Sequence, residues 1–174
     1  MSETINYTLE RKIDDVELRQ YPPMVLATVR GMGDNDAFRI LFKYISGHNR
    51  IAKKIPMTAP VMSTEARIPM TSPVVSSQDS FSFVLPPSYQ SEDIPAPLDS
   101  RSALEQIPGR RVAALRFRGV ATGNAVAGKT RELLDTLARH EIPVHGPVFL
   151  MRYNAPFTPG FIRRNEVGVE VRAG

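Results

Sequence analysis

Chemistry in this chain has to come from oxygen, imidazole, guanidinium or thioether groups, because its 174 residues include no cysteine. Thiolate metal sites, disulfides and cysteine nucleophiles are therefore excluded. The final apolar stretch alternates, with Asn165, Val167, Val169 and Val171 on one face of a strand and Glu166, Glu170 and Arg172 on the other. If the glutamate face turns into a cleft, Glu166 becomes a partly desolvated carboxylate of raised pKa, able to bind a cation or move a proton, with Tyr153 on the preceding strand as helper. The alternative is a structural carboxylate tied to backbone amides or to an arginine.

The segment Tyr153 to Arg164 combines Pro156 and Pro159 with Phe157, Phe161, Arg163 and Arg164. As a lid, Phe157 would cover a flat ligand while Arg163 meets a carboxylate or phosphate; as a rigid proline turn, its aromatics would pin it to the core. A near-duplication, IPMTAPV at Ile55 to Val61 and IPMTSPV at Ile68 to Val74, has two prolines per copy and excludes helix. It reads either as a hairpin of proline-containing strands or as a pocket wall in which Met57 and Met70 present adaptable thioethers. Thr58, within the first copy, has no partner base in sequence and supports no nucleophile. Phosphate loops, HExxH and GxSxG are absent.

These residues need elements to position them. Met24 to Arg30 alternates as a strand, and Pro22 and Pro23 separate it from strand-like Tyr7 to Tyr21. Phe38, Leu41, Phe42 and Ile45 keep the i, i+3, i+4, i+7 spacing of an amphipathic helix over Asp36 to Ser46, stopped by Gly47. Val126, Thr130, Leu133, Leu134 and Leu137 predict a second helix over Thr122 to His140, capped by Thr122 or Asn124. Further strands are expected at Phe81 to Leu85, Arg111 to Arg118, Val148 to Tyr153 and Glu166 to Arg172. Pro86 to Gly109, with five prolines, is expected to lack regular structure apart from a helical turn near Leu104. The order gives two strand-helix-strand-strand halves and an antiparallel sheet carrying two helices.

The chain is expected to be one domain. Its 22 Lys and Arg against 18 Asp and Glu leave a formal charge of +4, spread along the chain, which favours an anionic partner only weakly. Arg110, Arg111, Arg116 and Arg118 alternate with Ala and Leu, without interleaved aromatics on the same face, and read as a solvated strand face, not a nucleic-acid surface. No apolar run approaches the roughly 20 residues of a membrane span, and the amino terminus has no signal core, so a cytoplasmic monomer without membrane contact is expected.

KYISGHN at Lys43 to Asn49, KIPMTAPV at Lys54 to Val61 and YNAPFTPGFIRRNEV at Tyr153 to Val167 together resemble the SOUL haem-binding protein family, in the family's motif order. The resemblance implies an α+β fold, a distorted antiparallel β-barrel of about eight strands with two long helices and a pseudo-twofold repeat. It also implies reversible, non-covalent binding of haem or another planar anionic molecule, in a buffer or carrier rather than an enzyme. The family's cleft lies beside helix one, so the matching positions are Phe38, Leu41, Phe42 and Ile45 as apolar wall, with Lys43 and Arg39 for the propionates. The same helical stripe is also what ordinary core packing requires. His48 stands at a variable position of the Tyr-Ile-x-Gly-x-Asn pattern and is a candidate axial ligand, whereas His140 and His145 read as surface residues. Gyrase-inhibitor-like domains resemble the same architecture, and some use an interior glutamate for cationic aromatic ligands or act as hydrolases, which is the alternative reading for Glu166.

Overall fold

The computed structural model describes residues 3–51, 54–64, 80–89, 94–154 and 158–172. Its main element is a nine-stranded antiparallel sheet curled into a half-barrel, with two helices packed on one face. In chain order the elements are β1 Glu3–Thr4, β2 Thr8–Ile13, β3 Val16–Tyr21, β4 Met24–Arg30, α1 Asp34–Ile45, β5 Thr58–Ala59, β6 Val61–Thr64, β7 Ser80–Val84, β8 Ser102–Ile107, β9 Arg110–Arg118, α2 Gly123–Arg139, β10 Phe149–Arg152 and β11 Arg164–Glu170. Spatial order in the sheet is β2-β3-β9-β11-β10-β6-β7-β4-β8, and β1 pairs separately, in parallel, with β5.

The expected internal repeat is visible in this order. One half is β4-α1-β6-β7, the other β9-α2-β10-β11, and in each the last strand sits between the first and the third. The strand before each half crosses to the other: β3 pairs with β9, and β8 with β4. Two bent ribbons result, turning at Pro22-Pro23 and at Pro108-Gly109, with Tyr21 opposite Arg110 before the corner and Met24 opposite Ile107 after it. Prolines suit a corner because they end ladder pairing. Glycine suits position 109 because a Cβ there would stand 3.3 Å from the Tyr21 carbonyl oxygen.

One expectation is refined and one corrected. The strand-like stretch Tyr7 to Tyr21 is the β2–β3 hairpin, turning at Asp14, whose φ of 53° is a left-handed conformation that Asp tolerates. The proline-rich stretch 86–109 is not without regular structure, and Leu104 lies in strand β8 rather than in a helical turn. Ser102–Ile107 contains no proline, and as an edge strand it needs a partner on one side only. Hydrogen bonds from Tyr44 Oη to the Pro95 carbonyl, 2.6 Å, and from the Arg50 amide to Ala96, 2.9 Å, hold the preceding residues against the end of α1.

Both helices lie where periodicity places them, and Thr122 caps α2 by accepting from the Ala125 amide at 3.1 Å. Leu133, Leu137 and Val126 of α2 pack on Leu18, Leu115, Val167 and Val169; Ala37, Leu41, Tyr44 and Ile45 of α1 pack on Val29, Phe81 and Phe83. The opposite, concave face of the sheet carries Tyr21, Leu26, Met62, Val84, Phe149 and Met151, with Ile5 of the amino-terminal segment packed against them. Gly168 keeps this face closely packed, since a Cβ there would fall 2.9 Å from both Phe149 and Met151. Among the described residues no helix is long and apolar enough to cross a membrane.

Candidate functional site

On the outer side of α1, Phe38, Arg39, Phe42 and Lys43 share one face by helical spacing. The rings of Phe38 and Phe42 stack with centroids 5.9 Å apart and planes 16° from parallel. Phe38 is anchored by edge contacts to Phe83, 5.3 Å, and Phe81, 6.4 Å. Phe42, the outer ring of the stack, remains 52% exposed. Half-buried Met57 packs on the same core cluster as Phe38. Lys43 and Arg39 are exposed, and Arg39 makes a 4.0 Å contact with Asp36.

The expected apolar wall is thus split by the fold. Leu41 and Ile45 point into the sheet, 0% and 6% exposed, and anchor the helix; Phe42 presents its ring outward. His48 is exposed just beyond the helix end, its amide bonded to the Lys43 carbonyl at 2.9 Å. Nearby Asp99 is held at about 2, first by hydrogen bonds from Arg101 and more weakly by the field of His48. Met70 and Phe157 lie outside the described residues. Arg163 donates from Nε to the Thr158 carbonyl at 2.9 Å, bracing the turn that precedes β11.

Glu166 and Tyr153 do come together, on the concave face. Glu166 is fully buried and meets Arg19, which is 1% exposed. Arg19 Nη1 donates to Oε1 at 2.8 Å, Nη2 donates to Oε2, and the Tyr153 hydroxyl donates to Oε1. Arg19 is itself braced by the Tyr21 hydroxyl, the Glu17 carboxylate at 2.9 Å and the Tyr7 ring, 4.2 Å beneath its guanidinium. Burial alone would raise the Glu166 pKa, but the bidentate Arg19 bonds and charge, with the Tyr153 bond, hold it below the ordinary carboxylate range. Of the two alternatives for Glu166, the structure shows the carboxylate tied to an arginine, and the raised pKa of the other is corrected to a lowered one. Tyr153 is pushed upward by burial and by the Glu166 charge, so it is a donor and not a ready base.

The neighbouring cavity, lined by Tyr21, Met24, Met62, Phe149, Met151 and Arg110 among others, has a volume of only about 10 Å³, roughly one water. Arg19 is the residue that the sequence reading missed. Its signal was the alternation Glu17-x-Arg19-x-Tyr21, which sets three hydrogen-bonding groups on one strand face.

Comparison with known proteins places the chain in a family. The family model described as SOUL heme-binding protein matches residues 2–170. No curated protein sequence matches the chain. Among solved structures, the C-terminal domain of EcmrR is similar, with TM-score 0.64 and 10% identity over 91% of this chain and 98% of that one. A hydrolase from Listeria innocua is similar too, with TM-score 0.59 and 13% identity over 91% and 92% of the two chains. At such identities the likeness concerns the fold alone. The family match, running through both halves and both corners of the sheet, is what establishes that this chain belongs to the SOUL heme-binding protein family.

Proposed function

We propose that the protein binds haem, or a related planar tetrapyrrole, reversibly and non-covalently on the outer face of α1, as a buffer or carrier. The observation that carries this reading is Phe42, a half-exposed aromatic ring stacked on the partly buried ring of Phe38, with Arg39 and Lys43 on the same helix face. A surface ring of this kind offers a flat macrocycle a stacking partner held by the core, and the cations suit two propionates. Phe38, Phe42 and Met57 would provide the apolar contact, Arg39 and Lys43 the charge. His48, exposed one turn beyond, is the imidazole within the same region. When bound, haem supplies an iron able to take an axial ligand; the chain has no cysteine for covalent attachment.

The competing reading, a cation or electrophile acted on by Glu166 and Tyr153, would require Arg19 to leave both carboxylate oxygens. Glu166 is moreover fully buried beneath these contacts.

The test is a hemin titration of the purified apoprotein followed in the Soret band. A saturable one-to-one change at micromolar hemin is expected. Lys43→Glu should weaken binding about three- to tenfold, as expected of one partly solvated ion pair reversed, and Phe42→Ala by about tenfold or more. If hemin gives only non-saturating change, or both variants bind like the parent, the reading fails.

A further inference from the structure

Among the described residues, the part of the concave face around Glu166 carries more guanidinium groups than carboxylates. In the β9–β11 ladder, Glu166 stands opposite Arg116 and Arg164 stands opposite Arg118. Cross-strand partners share a face, so Arg116, Arg118 and Arg164 lie on the same side of the sheet as Glu166. With Arg19 they make four guanidinium groups; Glu166 and Glu17 are the carboxylates bonded to them.

Glu166 has little left to give. Its Oε1 accepts from Arg19 and Tyr153, and its Oε2 from Arg19. Arg116 Nε and Arg164 Nη2 approach Oε2 only to 3.5 and 3.7 Å, attracted by charge but outside hydrogen-bond length. Both side chains reach solvent, at 48% and 38% exposure, so the two converge on the outer edge of the buried pair. Among the described residues, Arg164 Nε nevertheless has no hydrogen-bond partner and is buried. The same guanidinium lies 4.4 Å over the Tyr153 ring. Directly opposed arginines on neighbouring strands repel one another, and a fork of donors lacking acceptors is what a carboxylate or phosphate completes.

We propose that Arg116, Arg118 and Arg164 form an oxyanion site at the solvent edge of the concave face, for the carboxylate or phosphate group of a small molecule. Glu166 and Arg19 act as its floor: they place Arg116 and Arg164 without consuming their donors. This site is separate from the α1 face and does not depend on haem binding there.

The experiment is a titration of the apoprotein with inorganic phosphate, and separately with acetate, at ionic strength held constant with chloride. It is followed through the arginine Nε–H resonances and the melting temperature. A saturable shift of the Arg164 Nε–H resonance is expected, with a rise in melting temperature beyond the chloride control. Arg116→Gln/Arg164→Gln should weaken binding by about tenfold or more, through loss of two charge-assisted donors. Arg118→Gln, at an exposed position, tests the site without disturbing the Glu166 pair and should weaken binding about threefold. A preference for phosphate assigns a phosphate ester and a preference for acetate a carboxylate; either supports the site. A response equal to that of chloride, or one unchanged in Arg118→Gln and in any folded Gln/Gln variant, overturns it.

Discussion

Arg19→Met is expected to lower the unfolding free energy by about 3–5 kcal/mol, the usual consequence of stranding a buried charge. Glu166 is fully buried, and without Arg19 it keeps only the Tyr153 hydroxyl as a hydrogen-bonding donor. Two like-charged candidates, Arg116 and Arg164, stay outside hydrogen-bond length and replace it only in part. Removing both charges, in Arg19→Met/Glu166→Leu, should be less harmful than the single changes add up to, with a coupling of about 2–3 kcal/mol. Additive losses in urea unfolding would show that the pair is not the interaction described. The pair also has a pH signature. Glu166 ionises below its ordinary value of 4.5 in the folded protein, so on acidification the unfolded chain takes up the proton first. Its contribution is complete above that ordinary value and is lost as pH falls through the lowered folded value. Urea midpoints recorded downward from about pH 7 should therefore fall less steeply in Glu166→Gln than in the parent.

The second large effect separates two neighbours on α1. Leu41→Ala should cost about 2–5 kcal/mol, because its side chain is fully enclosed between α1 and the sheet and leaves a cavity on truncation. Phe42→Ala should cost well under about 1 kcal/mol, since the ring is half exposed and lies outside the core cluster. For hemin the order reverses: Phe42→Ala loses affinity, while Leu41→Ala, at a temperature where it remains folded, retains most of it. Calorimetric melting and Soret titration of the two variants check both halves. Equal stability losses would mean that α1 is seated differently from the packing described.

Much of the fold could be read from residue order. Helical spacing at Phe38–Ile45 and Val126–Leu137 located both helices, because a stripe facing one sheet leaves a periodic trace. The duplicated halves followed from element order, and the family resemblance from three local motifs. Strand β8 escaped because five prolines around it masked a proline-free run, and an edge strand needs little alternation. The crossing of β3 to β9 and β8 to β4 was also hidden, since neither pairing is local. That crossing is what hid the central ion pair. Arg19 and Glu166 are 147 residues apart, and only the β3-β9-β11 order brings them together. Without Arg19 in view, Glu166 reads either as a desolvated acid or as a carboxylate tied to an arginine that the sequence does not name. On α1 the periodicity identified which residues form the stripe but not where its edge lies. Phe42 and Leu41 are adjacent in sequence and 100° apart around the helix, which is enough to put one outside and one in the core.

The haem reading is tested most directly by locating the ligand on the molecule. In proton–nitrogen correlation spectra with substoichiometric hemin, the iron should broaden the amides of Phe38, Arg39, Phe42 and Lys43 and the resonances around Met57, leaving Arg19, Tyr153 and Glu166 sharp. Broadening centred on Glu166 and Tyr153, or spread evenly over the surface, would contradict a site on α1.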